Sequence, residues 1–585
     1  MKEQWMVYTK KADFAGIAER FGISPVTARI LRNRDVEGDD AIRMFLNGGL
    51  SDCYDPELLK DKEKAAHIFL DKLLQEKPIR IIGDYDVDGV CATYILYKGL
   101  ERLGAKVDYD IPHRIKDGYG INIELIQKAW EADVDTILTC DNGISAREQI
   151  AYARSLGMTV IVTDHHDVPF LETAEGRIEQ IPPADAVINP KQSACQYPFK
   201  GLCGAAVAYK LIQYLFRRTR VDESELSPLL EAAALATVGD VMVLQGENRI
   251  IVREGLKRMA DSRITGLRQL MEASGVNPQT LSAYHLGFVI GPCLNAGGRL
   301  DTAKKALELF LTEDEAAAGA LALELKELND TRKAMTLKGV ELAETQIKEE
   351  HRENDPVYVI YLPDCHESLA GIIAGRIREK YNHPVFILTD GERMVKGSGR
   401  SIEGYHMYDA LVECQDLLAN FGGHPMAAGL SLPADNVEVF RNRLNGRSTL
   451  TEADFVPKIW IDVPLPFAYV TEELVEELKK LEPFGNGNSK PAFAQKGLRI
   501  RKLDTVGKTG QVVKMTLMDG DGRAIEAVMF SGGEDLKAEL QEKYDGRLDR
   551  ASLNVIYSAG VNEYNGVRTL QMTINHWELV PNNRY

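Results

Sequence analysis

In "IRIIGDYDVDGVCATYIL", residues 79–96, aspartates occupy every second position: Asp84, Asp86 and Asp88. Carboxylates this close repel one another unless cations or hydrogen-bond donors offset their charge. Further candidates follow along the chain: Asp141 in "LTCDNG", Asp164, His165 and His166 in "VTDHHDV", and Asp240 in "LATVGDV". Oxygen ligands joined by one or two imidazoles suit Mn2+ or Mg2+ better than zinc or copper. Shared carboxylates hold two such ions about 3.5–4 Å apart, the geometry used for in-line displacement at phosphorus. Singly, each piece has a plainer reading. A strand-end aspartate is commonly a cap or turn residue, and Asp88, just before Gly89, suits a helix cap. Adjacent histidines are commonly surface or structural groups. Specificity comes from the combination and its order.

Such a site needs a scaffold that gathers distant residues. From about 60 to 245, short β-rich runs ("IRIIGD", "KVDYDIP", "DTILTCD", "MTVIVTD", "AVINP") alternate with amphipathic segments such as "ATYILYKGLERLG". That alternation predicts a parallel sheet covered by helices. Ligands bind beyond the carboxyl ends of strands in such sheets, and Asp84, Asp141 and Asp164 each sit where a strand run ends. The expected fold is α/β, with this parallel-sheet domain at 55–255. Long helices at 256–350 lead to a second α/β domain at 351–450, and an OB-like β-barrel fills 451–585. Thr312 followed by Glu315 fits a capping box for a second connector helix. "KGSGRS" and "FGGHPMAAGL" read as glycine-rich turns. Residues 1–54 read as short helices, and "AERFGISPVTARIL" fits a plain helical hairpin better than a DNA-reading helix-turn-helix.

At 585 residues the chain exceeds one hydrophobic core. No apolar run reaches the ~18 residues of a membrane span, and the start lacks a secretory h-region. The eight cysteines form no CxxC pair, which argues against structural zinc or a disulfide framework and for a reducing cytoplasm. The net charge of −17 does not exclude a nucleic-acid partner when bound cations and local basic clusters are present. Residues 488–514 carry seven Lys/Arg against one acid, Asp504. They read as a basic strand-binding groove with Phe493 as a stacking aromatic, or as an ordinary solvated barrel face.

"GDYDVDG", "CDNG", "TDHH" and "VGD", in this order, resemble the motifs of DHH phosphoesterases. "NAGGRL" (295–300), "GSGRS" (397–401) and "FGGHPMAAG" (421–429) resemble those of its single-strand exonuclease branch, which carries a DHHA1 domain. The resemblance runs from about residue 55 to the C-terminus. It implies metal ligation by Asp84, Asp86, Asp88, Asp141, His165 and Asp240, with Asp141 between the two ions. It leaves open which first-motif aspartate serves which ion. His166 is expected to face the scissile phosphate with Asp164 supporting the pair. "IPHRIKDGYG" (111–120) resembles the segment that meets a DNA 5′ end, so Arg114 is expected on the terminal phosphate and Tyr119 on a base. Ser398 and Arg400 would complete that pocket, with Arg299 on a phosphate nearby. For His424, a phosphate contact and a structural turn both stand. Most arginines end in surface ion pairs, which is the plain alternative for these.

The implied activity is 5′→3′ hydrolysis of single-stranded DNA by a two-metal mechanism, with Mn2+ or Mg2+ as cofactors, in recombination and repair. The implied setting is a cytoplasmic monomer working with a single-strand-binding protein and a helicase, away from membranes. One rival is a DHH/DHHA1 oligoribonuclease or cyclic-dinucleotide phosphodiesterase, which usually lacks the barrel. The rival from another class is a non-catalytic single-strand-binding scaffold, which would have lost metal ligands.

Overall fold

The computed structural model describes residues 3–173, 176–506, 512–564 and 566–582. The chain forms two compact units. One holds 53–243 and 247–457; the other holds 3–52, 244–246 and 458–585. No helix among the described residues is long and apolar enough to cross a membrane.

In the first unit, five strands make the expected parallel sheet: β1 (Ile79–Ile82), β2 (Val107–Asp110), β3 (Thr136–Cys140), β4 (Thr159–Thr163) and β5 (Ala186–Ile188). Their order is β2-β1-β3-β4-β5, and every pairing is parallel. Every residue of β3 is buried, which fits its lack of charged side chains: helices cover both faces of such a sheet. Helix α1 (Val87–Arg102) follows β1, α2 (Gly204–Thr219) follows β5, and α3 (Ser227–Gly239) is buried over most of its length.

Helix α4 (Glu315–Glu349) leads toward the second sheet. Its start lies where the capping box put it, but the cap is Asp314, which accepts from Ala317 N at 2.7 Å. Thr312 instead ends the preceding helix, Lys304–Leu311. The second sheet contains β6 (Tyr358–Tyr361), β7 (Val385–Asp390), β8 (Val395–Arg400), β9 (Asn420–His424) and β10 (Ala427–Leu432), in the order β9-β10-β8-β7-β6. Helix α5 (Ala370–Tyr381) packs on β7 and β8. The glycine-rich stretches therefore lie mostly in strands, with a turn at 425–426 between β9 and β10. The glycines of β8 serve close packing: a Cβ on Gly399 would lie 2.5 Å from Met407 Sδ.

In the second unit, β11 (Phe493–Val506), β12 (Val512–Met518), β13 (Ala524–Met529), β14 (Ala551–Tyr564) and β15 (Val567–Pro581) close into a barrel, in the order β11-β12-β13-β15-β14. The N-terminal helices Phe14–Phe21 and Pro25–Asn33 pack on each other and share the barrel's core cluster. The Arg34 guanidinium donates to both Asp462 oxygens at 2.6 and 2.9 Å, with both side chains buried. A strand at Gln4–Val7 pairs in parallel with Lys458–Ile461. The N-terminal segment thus belongs with the barrel rather than standing alone. Phe493 is fully buried in the barrel core and offers no stacking face. Of the basic stretch, 507–511 with Lys508 lies outside the described residues.

Candidate metal centre and end pocket

The strand ends converge as the alternation predicted. Asp84 follows β1, Asp141 follows β3, and Asp164 follows β4. Asp141 takes a left-handed backbone, φ +61°, which Asp tolerates better than most residues. Asp86 caps α1, accepting from Asp88 N at 2.9 Å and Gly89 N at 3.1 Å. Asp88 caps a different helix: its oxygens accept from Gly204 N and Ala205 N at the start of α2, each at 2.7 Å. Asp240 sits at the C-terminal end of α3.

Three overlapping groups each bring ligand atoms within 4.8 Å of one another: Asp84 with Asp86 and Asp141; Asp88 with His165 and Asp240; and Asp141 with both histidines. His165 Nε2 lies 3.1 Å from Asp141 Oδ1, 3.6 Å from Asp88 Oδ2 and 3.7 Å from Asp240 Oδ2. Asp84 Oδ1, Asp141 Oδ1 and His165 Nδ1 are buried without a hydrogen-bond partner. Burial and the neighbouring carboxylates push the Asp84 and Asp240 carboxyls up to about 8. Burial, followed by Asp88, raises those of Asp86 and Asp141 as well. This is the electrostatics of an acid cluster that needs cations. The oxygen-rich donor set with imidazole fits Mn2+ or Mg2+.

Asp164 behaves differently. Burial alone would raise its carboxyl, but hydrogen bonding to His166 leads a set of contacts that holds it low. It accepts from His166 Nδ1 at 2.8 Å, Ile144 N at 2.9 Å, and the amides of His165 and His166 at 2.7 and 3.1 Å. Burial pulls His165 below the usual imidazole value. His166, half-exposed, is drained by burial but raised overall to about 9, chiefly by Asp164.

A second cluster has the opposite sign. A cavity of about 470 Å3 is lined by Arg114 from the segment after β2, by Arg299 from the helix Gly291–Leu300, and by Ser398 and Arg400 from β8. The Arg114 guanidinium lies 3.8 Å from the Tyr85 ring centroid, and its buried Nε has no partner. Arg299 donates to Ser368 O at 2.7 Å, and Arg400 to Gly399 O at 2.7 Å. Burial, then the Arg114 charge, lowers Arg299 to about 10. Tyr119 is 48% exposed; its hydroxyl donates to Asp141 O at 2.8 Å and lies 3.2 Å from His166 Nδ1. His424 is exposed at the β9–β10 turn, accepts from Met426 N at 3.3 Å, and is not among the residues lining the cavity.

Sequence reasoning missed Tyr85, whose ring supports Arg114, and the service of "NAGGRL". Asn295 Oδ1 accepts from Val87 N at 2.8 Å, and a Cβ on Gly298 would lie 2.3 Å from Tyr85 O. That motif braces the first-motif loop. The alternating aspartates drew attention away from the tyrosine between them, and no local pattern marks a contact over 200 residues away.

A parallel sheet with acids and a histidine pair at its strand ends, joined to a second α/β domain, defines a DHH protein. The DHH family N-terminal domain matches residues 78–237, the DHHA1 domain 354–448, and the RecJ OB domain 461–576. The single-stranded-DNA-specific exonuclease RecJ of Bacillus subtilis is 33% identical over 588 residues, covering 99% of this chain and 72% of the relative. That of Haemophilus influenzae is 32% identical over 575 residues, covering 95% and 96%. The chain belongs to the RecJ family. The crystal structure of Thermus thermophilus RecJ with Mn2+ matches with a TM-score of 0.80 at 28% identity, over 98% of this chain and 79% of that one. The Mg2+ complex matches at 0.75 with 27% identity.

Proposed function

We propose that this chain is a metal-dependent, single-strand-specific DNA exonuclease acting 5′→3′ in recombination and repair. One observation carries the reading: a buried acid cluster and a cation-lined cavity occur in the same compact unit. The first suits phosphodiester hydrolysis and the second suits a phosphorylated chain end. Two divalent ions, held by Asp84, Asp86, Asp88, Asp141, His165 and Asp240, supply when bound the charge that activates water and offsets charge developing at phosphorus. Asp141 and His165 each belong to two ligand groups, which suits Asp141 to a shared position. Asp164 fixes the His166 ring through Nδ1, leaving its opposite edge to donate to a scissile phosphate oxygen. Arg114, Arg299, Ser398 and Arg400 hold the 5′-terminal phosphate, since guanidinium matches phosphate oxygens bidentately. The exposed Tyr119 ring takes an unpaired base.

The closed barrel argues against the oligoribonuclease and cyclic-dinucleotide readings, and the full ligand set argues against a non-catalytic scaffold. A cytoplasmic monomer cooperating with a single-strand-binding protein and a helicase completes the reading. The test digests end-labelled single- and double-stranded DNA and RNA with Mn2+ or Mg2+. Release of 5′-mononucleotides from single-stranded DNA alone is expected. Equal cutting of duplex, or attack only from the 3′ end, overturns it.

A further inference from the structure

The end cavity continues past its arginines. Its lining includes Arg400, Ser398 and Lys396, which share one face of β8, together with Gly397 between the last two. Strand register sets Lys396 opposite Ser431 of β10, and Ser431 opposite Asn420 of β9. These three side chains form a row straight across the sheet, with strands about 4.8 Å apart. The row lies two residues, about 7 Å, along the strand from the row of Ser398, Gly429 and Gly422. Lys396, Ser431 and Asn420 all line the cavity that contains Arg114, Arg299 and Arg400. The Arg114 guanidinium lies over Tyr85, which stands between Asp84 and Asp86 of the acid cluster, so the arginine side of the cavity is the side next to that cluster. Lys396 is exposed and has no ion-pair partner among the described residues. One ammonium, one hydroxyl and one amide are a set of phosphate donors. At about 470 Å3 the cavity is several times larger than a single phosphate group and falls in the range of whole-ligand pockets.

We propose that this second row binds the outer phosphates of a polyphosphorylated 5′ end, so that the enzyme accepts strands ending in a 5′-triphosphate. The inference rests on the reading that the cavity takes a 5′ end. In the reaction, a water oxygen bonds to the first internucleotide phosphorus and the bond from that phosphorus to the 3′ oxygen of the first nucleotide breaks. The 3′ oxygen takes the proton. The products are a nucleoside 5′-triphosphate and a strand one residue shorter with a 5′-monophosphate, which is the ordinary substrate of the next cycle.

The test uses the full chain with Mn2+ and one single-stranded DNA sequence carrying a 5′-hydroxyl, 5′-monophosphate or 5′-triphosphate. The first product is resolved by chromatography. The triphosphate strand is expected to be cut at least as efficiently as the monophosphate strand, releasing a nucleoside triphosphate. Lys396→Ala should lower the ratio of kcat/KM for triphosphate over monophosphate by about tenfold, the loss of one charge-assisted contact. Asn420→Ala should lower it by a smaller factor. Cutting of the triphosphate strand no better than the hydroxyl strand overturns the proposal, as does an unchanged ratio in Lys396→Ala. Arg400→Ala separates the two levels. If it does not reduce the preference for monophosphate over hydroxyl, the pocket reading itself fails. If it does while Lys396→Ala leaves its ratio unchanged, only the extension fails.

Discussion

The acid cluster and the arginine cavity are both gatherings of like charge drawn partly or wholly out of solvent, yet they relieve their repulsion differently. The carboxylates relieve it by holding protons: Asp84 and Asp240 rise to about 8. Arg299 falls only to about 10, so its guanidinium stays charged at neutral pH. In the proposed reading the first cluster gives up those protons to metal ions and the second takes a phosphate. Chemistry and end selection are therefore separable, and mutations should divide them.

The largest expected effect comes from the acid side. Asp141→Ala should lower hydrolysis on the order of a thousandfold or more, because the residue belongs to two ligand groups. Single-strand binding measured with Ca2+ should survive. Mn2+ at a hundred times Kd should stabilise the unmutated protein by about 2.7 kcal/mol, read as a raised thermal midpoint, and should stabilise the variant much less. Near-normal turnover by a folded variant would remove Asp141 from the site.

On the basic side, Arg114→Ala and Arg400→Ala should each slow cutting of a 5′-phosphorylated strand by about ten- to a hundredfold, since a charge-assisted contact contributes ~1.5–3 kcal/mol. A 5′-hydroxyl strand should suffer much less. Equal losses on both substrates would make these arginines general backbone contacts and would collapse the division between the clusters.

Tyr85 joins the two clusters: its neighbours Asp84 and Asp86 belong to the acids, while its ring lies under Arg114. A cation–π contact of ~0.5–2 kcal/mol predicts that Tyr85→Leu lowers the 5′-phosphate preference by about two- to thirtyfold, with Tyr85→Phe retaining most of it. Loss of the same size in both variants would point to the hydroxyl rather than to the ring face.

Much of this was legible in the sequence because it is periodic or local. The β-rich runs ending in Asp84, Asp141 and Asp164 gave the parallel sheet and its active edge, and the barrel followed from short strands between turns. The errors have physical sources. "KGSGRS" looked like a loop because glycine favours turns, but in β8 it serves tight packing between strands. Phe493 looked like a stacking ring, but alternation along a barrel strand turns it into the core. Asp314 outcompeted Thr312 as a cap because its carboxylate reaches Ala317 N. The Gln4–Val7 strand was invisible, since four residues carry little period and the partner begins at Lys458. Asp88 capping α2 was equally hidden, because a tertiary hydrogen bond leaves no spacing to read.

The smallest expected effect comes from the barrel, where a charge-driven contribution to strand binding would be read by titration with salt. Burial of Phe493 removes the stacking argument for strand binding there, so the case rests on charge. Lys502 is already paired with Asp504 at 2.5 Å, and Lys514 lies 3.6 Å from Glu526. Lys490, Lys496 and Arg501 are exposed and have no ion pair among the described residues. Each phosphate neutralised on a single strand adds about 0.7 to the slope of log K against log salt. The triple variant Lys490→Ala, Lys496→Ala, Arg501→Ala should therefore flatten that slope by about 2 for long single strands. Cutting of short oligonucleotides should change little. This substitution is a sharper instrument than deleting the barrel: removing 458–585 would strip the Ile30 and Leu31 side chains of their shared core and leave Arg34 without Asp462. An unchanged slope in the folded variant would show that the exposed bases are an ordinary solvated face. Strand affinity would then have to come from the first unit alone.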